Sequence, residues 1–235
     1  MRARTIGAGP RCFAGLRLVV RLGAVDRVAW AAAMGWGKTS GYSHAARLEQ
    51  AGLVCRQRAE WGAGSLLVAT SEGAMAVGRE DLGAGAAAGP STWAHARATS
   101  WVVAALEREG GRWISERELR LEEGFWRLTV ASEDATGATR RHTHLPDLGT
   151  VSVDRRASAY EVELQSKRKA RLRALLTAYR RRLARGDDEL DEVVYVVDSP
   201  RVAKLVEVAA AEVGLTSGLT ITRLDEVIAA AQEAP

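Results

Sequence analysis

The chain has 235 residues, of which 47% are hydrophobic and 26% are charged, and its formal net charge is +4. This composition is that of a foldable soluble protein with room for one large domain or two small ones. No apolar run is long enough to span a bilayer, the basic N-terminus lacks the apolar core of a signal peptide, and Cys12 and Cys55 lack the spacing of a disulfide framework or a zinc site. We therefore expect a cytoplasmic protein with no membrane partner.

The charges are distributed unevenly along the chain. Residues 1–59 contain ten Arg or Lys residues and two acids, whereas residues 186–235 contain eleven acids and three basic residues. Such segregation favours an N-terminal region that binds a polyanion.

Periodicity and capping residues predict three helices, two strands and a short helix in the N-terminal part. In chain order these are helices at 13–20, 26–34 and 39–51, strands at 54–58 and 66–69 around a loop at Trp61, and a helix that begins at Thr70. Three helices followed by a β-hairpin are typical of a winged helix-turn-helix, in which the third helix reads the major groove of DNA.

The third predicted helix is amphipathic. Its apolar face consists of Gly41, Ala45 and Leu48. Its polar side chains lie at offsets 0, 3, 4 and 7 and therefore share one face; they are Ser40, Ser43, His44 and Arg47. We expect this face to contact DNA. A solvated face and a protein-docking face are the alternatives.

Residues 82–91 form a stretch rich in Gly and Ala that is typical of a linker. It divides the chain into residues 1–81 and residues 92–235. The second part begins with a helix at 92–109, in which Trp93 and Trp101 are expected to face the core rather than to stack on bases. The remaining pattern predicts an order of α-β-β-β-α-β-α-β-α, which is typical of a mixed sheet flanked by helices.

A basic helix is predicted at 166–184. Its buried stripe is expected to consist of Leu172, Leu175, Leu176, Tyr179 and Leu183. Its opposite side is rich in Arg and Lys without an acid among them, so Arg168, Lys169 and Arg171 are candidates for contact with a phosphate backbone. The alternative is a solvated face.

Three acidic residues in the strands before this helix suggest a site that binds a divalent cation. Asp147 follows Pro146, while Glu161 and Glu163 alternate with apolar residues and so share one face of a strand. Carboxylates in such proximity repel one another unless a cation lies between them, and oxygen ligands suit Mg²⁺ or Mn²⁺. A nearby lysine, Lys167, would then support the charge of a phosphoryl group. A structural ion-pair network is the alternative.

Several motifs in this order resemble the replication-relaxation family of actinobacterial and firmicute plasmids and integrated elements. They are the winged-helix residues 25–80, Trp113-x-x-Glu116, Leu145-Pro146-Asp147, Tyr160-Glu-Val-Glu163-Leu-Gln-Ser-Lys167, Tyr179 and Val193-Val-Tyr195-Val. The resemblance covers nearly all of the chain after residue 24. It implies a second domain similar to the PD-(D/E)XK nuclease fold, the restriction-endonuclease-like core.

The resemblance also implies roles for individual residues. Asp147 takes the place of the motif's aspartate, Glu161 or Glu163 that of its second acid, and Glu116 that of an additional acidic metal ligand. The family motif has a lysine two residues after the second acid. Here Glu163 and Gln165 occupy those positions, and the nearest lysine is Lys167.

Taken together, the sequence predicts a DNA-binding protein of a plasmid or integrated mobile element that acts on double-stranded DNA in replication or mobilisation. Either it is a Mg²⁺- or Mn²⁺-dependent deoxyribonuclease, or it is an inactive nuclease-like binding protein or a transcription regulator. A replication or mobilisation protein as a partner, and a homodimer, are left open.

Overall fold

A computed structural model describes residues 9–58, 64–86, 89–122, 124–133, 138–165, 168–185 and 190–233. By its packing the chain divides into two compact units. Unit 1 comprises Met1–Glu109 and Ala230–Pro235, and unit 2 comprises Gly110–Ala229. No helix within the described ranges is long and apolar enough to cross a bilayer.

Unit 1 contains a small antiparallel sheet and the first five helices. The elements are α1 (Pro10–Leu22), β1 (Ala24–Asp26), α2 (Arg27–Ala33), α3 (Lys38–Gln50), β2 (Val54–Arg58), β3 (Ser65–Ala69), α4 (Ser71–Ala76) and α5 (Pro90–Arg108), with a short 3-10 helix at Glu80–Leu82. The sheet has the order β1-β3-β2. The predicted helices and strands are confirmed, and the loop predicted at Trp61 lies outside the described residues. The sequence pattern missed β1, because three residues between two helices show no measurable periodicity.

Two residues explain where α2 begins and how closely α3 packs against it. Asp26 caps α2, since its Oδ1 accepts hydrogen bonds from the backbone N–H of Val28 at 2.8 Å and of Ala29 at 3.1 Å. Gly41 of α3 lies against α2, and a Cβ at this position would be only 2.6 Å from the Cβ of Ala31. The absence of a side chain at Gly41 therefore allows α2 and α3 to approach closely.

Helix α5 is buried over most of its middle, and Trp101 lies in the interior as expected. Arg97 of this helix forms an ion pair with Asp26, with Nε 3.0 Å from Oδ2. The Ser100 hydroxyl accepts a hydrogen bond from the backbone N–H of Asp26 at 3.0 Å. Because α5 is attached in this way to β1 and α2, the packing units divide at Gly110. The linker and domain boundary predicted at 82–91 stay a prediction.

Unit 2 is built on a mixed sheet. Its elements are β4 (Trp113–Ser115), α6 (Glu116–Leu119), β5 (Leu128–Glu133), β6 (Thr139–His144), β7 (Leu148–Val151), β8 (Ala157–Glu163), α7 (Lys169–Leu183), β9 (Leu190–Val197), α8 (Pro200–Val213) and β10 (Leu219–Arg223). The last helix, α9 (Leu224–Glu233), begins in unit 2, and its residues from Ala230 belong to unit 1. The sheet has the order β10-β9-β8-β7-β4. Pairs β10–β9 and β8–β9 are parallel, and pairs β7–β8 and β4–β7 are antiparallel. The predicted α/β class, a mixed sheet with flanking helices, is confirmed.

Helix α7 covers one face of this sheet. Leu172, Leu175, Leu176 and Tyr179 are buried in the core with Val193 and Tyr195 of β9, among other residues. The predicted buried stripe is thus confirmed, except that Leu183 is only partly buried. Strands β5 and β6 form a separate antiparallel hairpin, whose Leu128 and Val130 belong to the same core. The sequence pattern did not indicate this hairpin, since β6 has no buried residue.

Candidate functional site

Asp147 is fixed at the start of β7 by hydrogen bonds to the neighbouring strand. Its backbone N–H donates to the carbonyl of Tyr160 at 3.0 Å, and its Oδ2 accepts from the backbone N–H of Val162 at 2.7 Å. Since Leu148 pairs with Tyr160 in the register, the Asp147 carboxylate lies beside Glu161 and Val162 of β8. The Asp147 carboxylate thus lies next to β8, the strand that carries Glu161 and Glu163.

Glu161 is almost completely buried, with 2% of its surface exposed. Its Oε1 accepts a hydrogen bond from the hydroxyl of Tyr179 at 2.5 Å and lies 2.6 Å from Nε2 of His144. A carboxylate is buried at a large cost unless it is hydrogen-bonded, and charge-assisted bonds of this kind are short. His144 at the end of β6 and Tyr179 on α7 therefore stabilise the Glu161 carboxylate.

The other acid of β8 lies on the same face, and both acids lie close to a buried tyrosine. Glu163 is 6% exposed, and Glu161 pairs in the register with Tyr195 of β9. Burial, followed by the charges of Glu161, Glu163 and Asp147, raises the pKa of Tyr195 well above its ordinary value. Burial and the charge of Glu161 likewise raise the pKa of Tyr179. The structure therefore gathers the three predicted acids, Asp147, Glu161 and Glu163, into an acid cluster around Tyr195.

The cluster matches the chemistry of a divalent-cation site only in part. Carboxylate oxygens are suitable ligands for Mg²⁺. However, the residues that the structure describes include no group of three His, Cys, Asp or Glu side chains arranged to hold a metal ion. Glu161 already accepts from His144 and Tyr179, and Asp147 from Val162. Two of the three carboxylates are therefore already engaged in hydrogen bonds within unit 2.

Glu116, a further acid of the predicted site, is placed differently. The backbone N–H of Glu116 donates to the carbonyl of Asp147 at 3.1 Å, but the Glu116 carboxylate pairs with Arg120 at 2.6 Å on the surface. Glu116 therefore lies next to the acid cluster while its carboxylate is engaged elsewhere. Lys167, the predicted phosphate ligand, lies outside the described residues.

Sequence reasoning missed the side chains that stabilise the acids. The sequence pattern predicts Tyr179 as a residue of the buried stripe of α7, and it assigns no role to His144. His144 and Tyr179 reach Glu161 from positions 17 and 18 residues away in the chain. A local pattern contains no signal for such contacts. The alternation within β8 did identify the shared face of Glu161 and Glu163.

The four residues of α3 that are predicted to contact DNA differ in their exposure. Ser40, Ser43 and Arg47 are exposed, while Gly41, Ala45 and Leu48 are buried as expected. His44 instead lies half-buried and stacks on Trp36, with ring centroids 4.2 Å apart and ring planes inclined by 28°. Burial, and then the positive charges of Arg47 and Arg11, lower the pKa of His44. His44 is therefore less exposed than Ser40, Ser43 and Arg47, and its predicted contact with DNA stays a prediction.

Helix α7 is less available to a polyanion than its sequence indicates. Lys169 lies 2.7 Å from the carboxylate of Glu212 on α8, and Arg173 pairs with the same carboxylate. These two bases, Arg173 more strongly, lower the pKa of Glu212 to about 2. Arg168 and Arg171 are exposed. One carboxylate from α8 therefore offsets part of the positive charge in the first turns of α7, which the sequence of the helix alone does not indicate.

Comparison with protein-family models, with curated proteins and with solved structures finds no match to this chain. The resemblance to the replication-relaxation family therefore remains a prediction.

Proposed function

We propose that this chain is a double-stranded-DNA-binding protein whose unit 1 is a winged helix-turn-helix. The observation that carries the proposal is the arrangement around α3. In unit 1 the elements follow the order α1-β1-α2-α3-β2-β3, and β2 and β3 form a small antiparallel sheet with β1. A winged helix-turn-helix uses the third helix of such an arrangement to read the major groove.

The surface of α3 has suitable chemistry for this role. Its buried side consists of Gly41, Ala45 and Leu48. Its polar side therefore faces solvent. Arg47 is exposed at its C-terminal end. Arginine makes bidentate hydrogen bonds with guanine, and serine hydroxyls such as those of Ser40 and Ser43 bond with bases or phosphates.

The adjacent edge strand β2 adds positive charge to this side of unit 1. Its Arg56 and Arg58 lie on the strand that directly follows α3, and Arg58 is exposed. Arg56 lies 3.5 Å from Glu49 of α3, which connects the strand to the helix. Contacts with the sugar-phosphate backbone from such neighbouring residues position a reading helix on the duplex.

Replacing Arg47 with alanine tests this assignment. Loss of a base-edge contact would weaken binding of duplex DNA by about 1–3 kcal/mol and relax the sequence preference at that position. Arg17→Ala is the matched control, because Arg17 is exposed on α1 and the charge change is the same. Equal DNA affinity for the wild type, Arg47→Ala and Arg17→Ala would reject α3 as the reading helix and favour protein docking.

The biological setting is also part of the proposal. Resemblance to the replication-relaxation family supports a role in plasmid or mobile-element replication or mobilisation, in the cytoplasm, where a replication or mobilisation protein would be the partner. A homodimer is expected to bind a site with two-fold symmetry. Footprinting on the DNA of the host element would reveal one half-site or two.

A metal-dependent DNA hydrolase is the second candidate, favoured by the position of the Asp147 carboxylate beside β8, the strand that carries the buried Glu161 and Glu163. A divalent cation bound there would supply Lewis acidity for phosphodiester cleavage. Calorimetry with Mn²⁺ tests this candidate directly: the wild type should bind the ion, and Asp147→Ala and Glu163→Ala should not. Absence of Mn²⁺ binding by the wild type at millimolar concentration would leave the nuclease-like DNA-binding protein or regulator.

A further inference from the structure

Helix α7 and the residues at its two ends concentrate positive charge within unit 2. Eight of the residues 168–185 are Arg or Lys, and none is acidic. On one side of the helix this charge is partly offset, because the carboxylate of Glu212 on α8 pairs with both Lys169 and Arg173. The basic side chains of α7 therefore differ in how far they remain available to a partner.

The side of α7 that faces α8 is occupied by contacts within unit 2. Besides Lys169 and Arg173, it carries Arg180, whose guanidinium donates to the backbone carbonyl of Val213 at 2.7 Å. Residues 169, 173 and 180 are four and seven positions apart, a spacing that places them on the same side of a helix. Contact with a large polyanion therefore has to come from the other sides of α7.

Arg168, Arg171 and Arg181 form an open basic face on α7. All three are exposed, and among the described residues their guanidinium groups have no hydrogen bond or ion pair. With 3.6 residues per turn, side chains two positions apart on a helix project about 200° from each other. Arg171 therefore projects away from Arg173 and α8, and Arg181 projects away from the buried Tyr179 and the core.

The first turn of α7 has charges that a helix does not favour at this end. It includes Lys169 and Arg171, with Arg168 directly before it, and it has no acid. Positive charge near a helix N-terminus is unfavourable because that end of the helix dipole is itself positive. Arg168 and Arg171 are also three positions apart, a spacing at which like charges repel. The fold gains nothing from this arrangement, whereas a negatively charged partner would offset it.

We propose that the open basic face of α7 binds the sugar-phosphate backbone of duplex DNA. This inference rests on the proposed DNA-binding function, and it assigns to unit 2 a contact surface that reads no sequence. Arginine is suited to this role because its planar guanidinium donates two parallel hydrogen bonds to a phosphate group. Contacts of this type position a protein on DNA without sequence information. Of the predicted phosphate ligands, Lys169 is engaged by Glu212, and Arg181 takes its place.

The length of the face makes the contacts of its arginines separable. A rise of about 1.5 Å per residue places the Cα atoms of Arg171 and Arg181 about 15 Å apart along α7. Each strand of duplex DNA carries one phosphate per about 3.4 Å of axis, so the two arginines would contact different phosphates. Their contributions to the salt dependence of binding should therefore add.

The test is the salt dependence of DNA binding by the full chain. Dissociation constants for one duplex are measured over a range of NaCl concentrations for the wild type, Arg171→Gln, Arg181→Gln and the double variant. The slope of log affinity against log salt should become shallower by about 0.9 for each phosphate that is no longer neutralised. Arg171→Lys keeps the charge and should retain the wild-type slope. Arg173→Gln is the matched control, because it makes the same charge change on the side of α7 that Glu212 occupies, and it should also retain the slope.

Stability measured on the same variants separates binding from a structural role. Since Arg171→Gln removes repulsion in the first turn, it should leave the free energy of unfolding at low salt unchanged or raise it. Urea denaturation measures this. A lower stability of Arg171→Gln together with an unchanged salt slope would assign Arg171 to the fold and reject its role in binding.

The remaining outcomes separate this inference from the function on which it rests. If the folded wild type fails to bind duplex DNA at low salt, the proposed function itself is rejected. If the wild type binds and the double variant has the same slope as Arg173→Gln, the DNA-binding function stands and the role of the open basic face is rejected.

Discussion

At the scale of single residues, two buried tyrosines beside the same acids differ in their hydrogen bonding. The Tyr179 hydroxyl donates to Glu161 at 2.5 Å. The Tyr195 hydroxyl is fully buried, and among the described residues it has no hydrogen-bond partner. A hydrogen bond to a buried charge stabilises the fold, whereas a buried hydroxyl without a partner is a cost that its removal relieves. The two residues therefore make a matched pair of substitutions.

Tyr179→Phe should lower the free energy of unfolding by about 1.5–3 kcal/mol, the value of a hydrogen bond to a charged group. Tyr195→Phe should change it by less than about 0.5 kcal/mol or raise it, because no bond is removed. Urea denaturation at neutral pH measures both. Equal destabilisation by the two substitutions would contradict the assignment of Tyr179 as the donor that stabilises Glu161.

The same tyrosines predict a dependence of stability on alkaline pH. Burial, and then the charge of Glu161, raise the pKa of both hydroxyls above the ordinary value of 10.0. The folded state then retains protons that the unfolded state releases, so the stability from these groups is fully present below about pH 10 and is lost as the pH rises above it. Free energies of unfolding from pH 8 to pH 11 should decline more steeply for the wild type than for Tyr195→Phe. Parallel profiles would show that Tyr195 ionises normally.

At the scale of elements, Asp26 combines two roles where β1 meets α2. It caps α2 through two backbone N–H groups and pairs with Arg97 of α5. Its side chain is 4% exposed, whereas that of Arg97 is 40% exposed. Because the aspartate is buried and the arginine is not, we expect substitution of Asp26 to lower stability more than substitution of Arg97.

Asp26→Ala should lower the free energy of unfolding by about 2–3 kcal/mol, since it removes both the helix cap and a charge-assisted hydrogen bond. Asp26→Asn keeps an oxygen that caps α2 and should lose less. Thermal or urea unfolding of the two variants measures the difference. An equal loss in both variants would mean that the cap contributes nothing.

The elements also show which parts of the fold a sequence pattern can predict. Helix α7 and strand β9 are predictable because each has a long, regular apolar pattern that a single core buries. The β5–β6 hairpin is not, because β6 consists of polar residues and gains its position only by pairing with β5. Within the site, the common face of Glu161 and Glu163 follows from strand alternation. The contacts of Glu161 with His144 and Tyr179 depend on tertiary packing, which no local spacing encodes.

At the scale of the whole molecule, the two units carry different chemistry. Unit 1 has the arrangement of elements that supports a winged helix, and unit 2 has the acid cluster with an exposed basic strand at its side. Sequence-specific recognition of DNA by α3 is our proposal for unit 1. This proposal requires that the protein bind duplex DNA.

Fluorescence anisotropy of a labelled duplex, titrated with the full chain at several salt concentrations, tests this requirement most directly. We predict binding at low salt, with log affinity falling linearly as log salt rises because counterions are released from the phosphates. Circular dichroism of the same preparation verifies that the protein is folded. A folded protein that does not bind the duplex at the lowest salt concentration, for any of several unrelated sequences, would contradict the proposal.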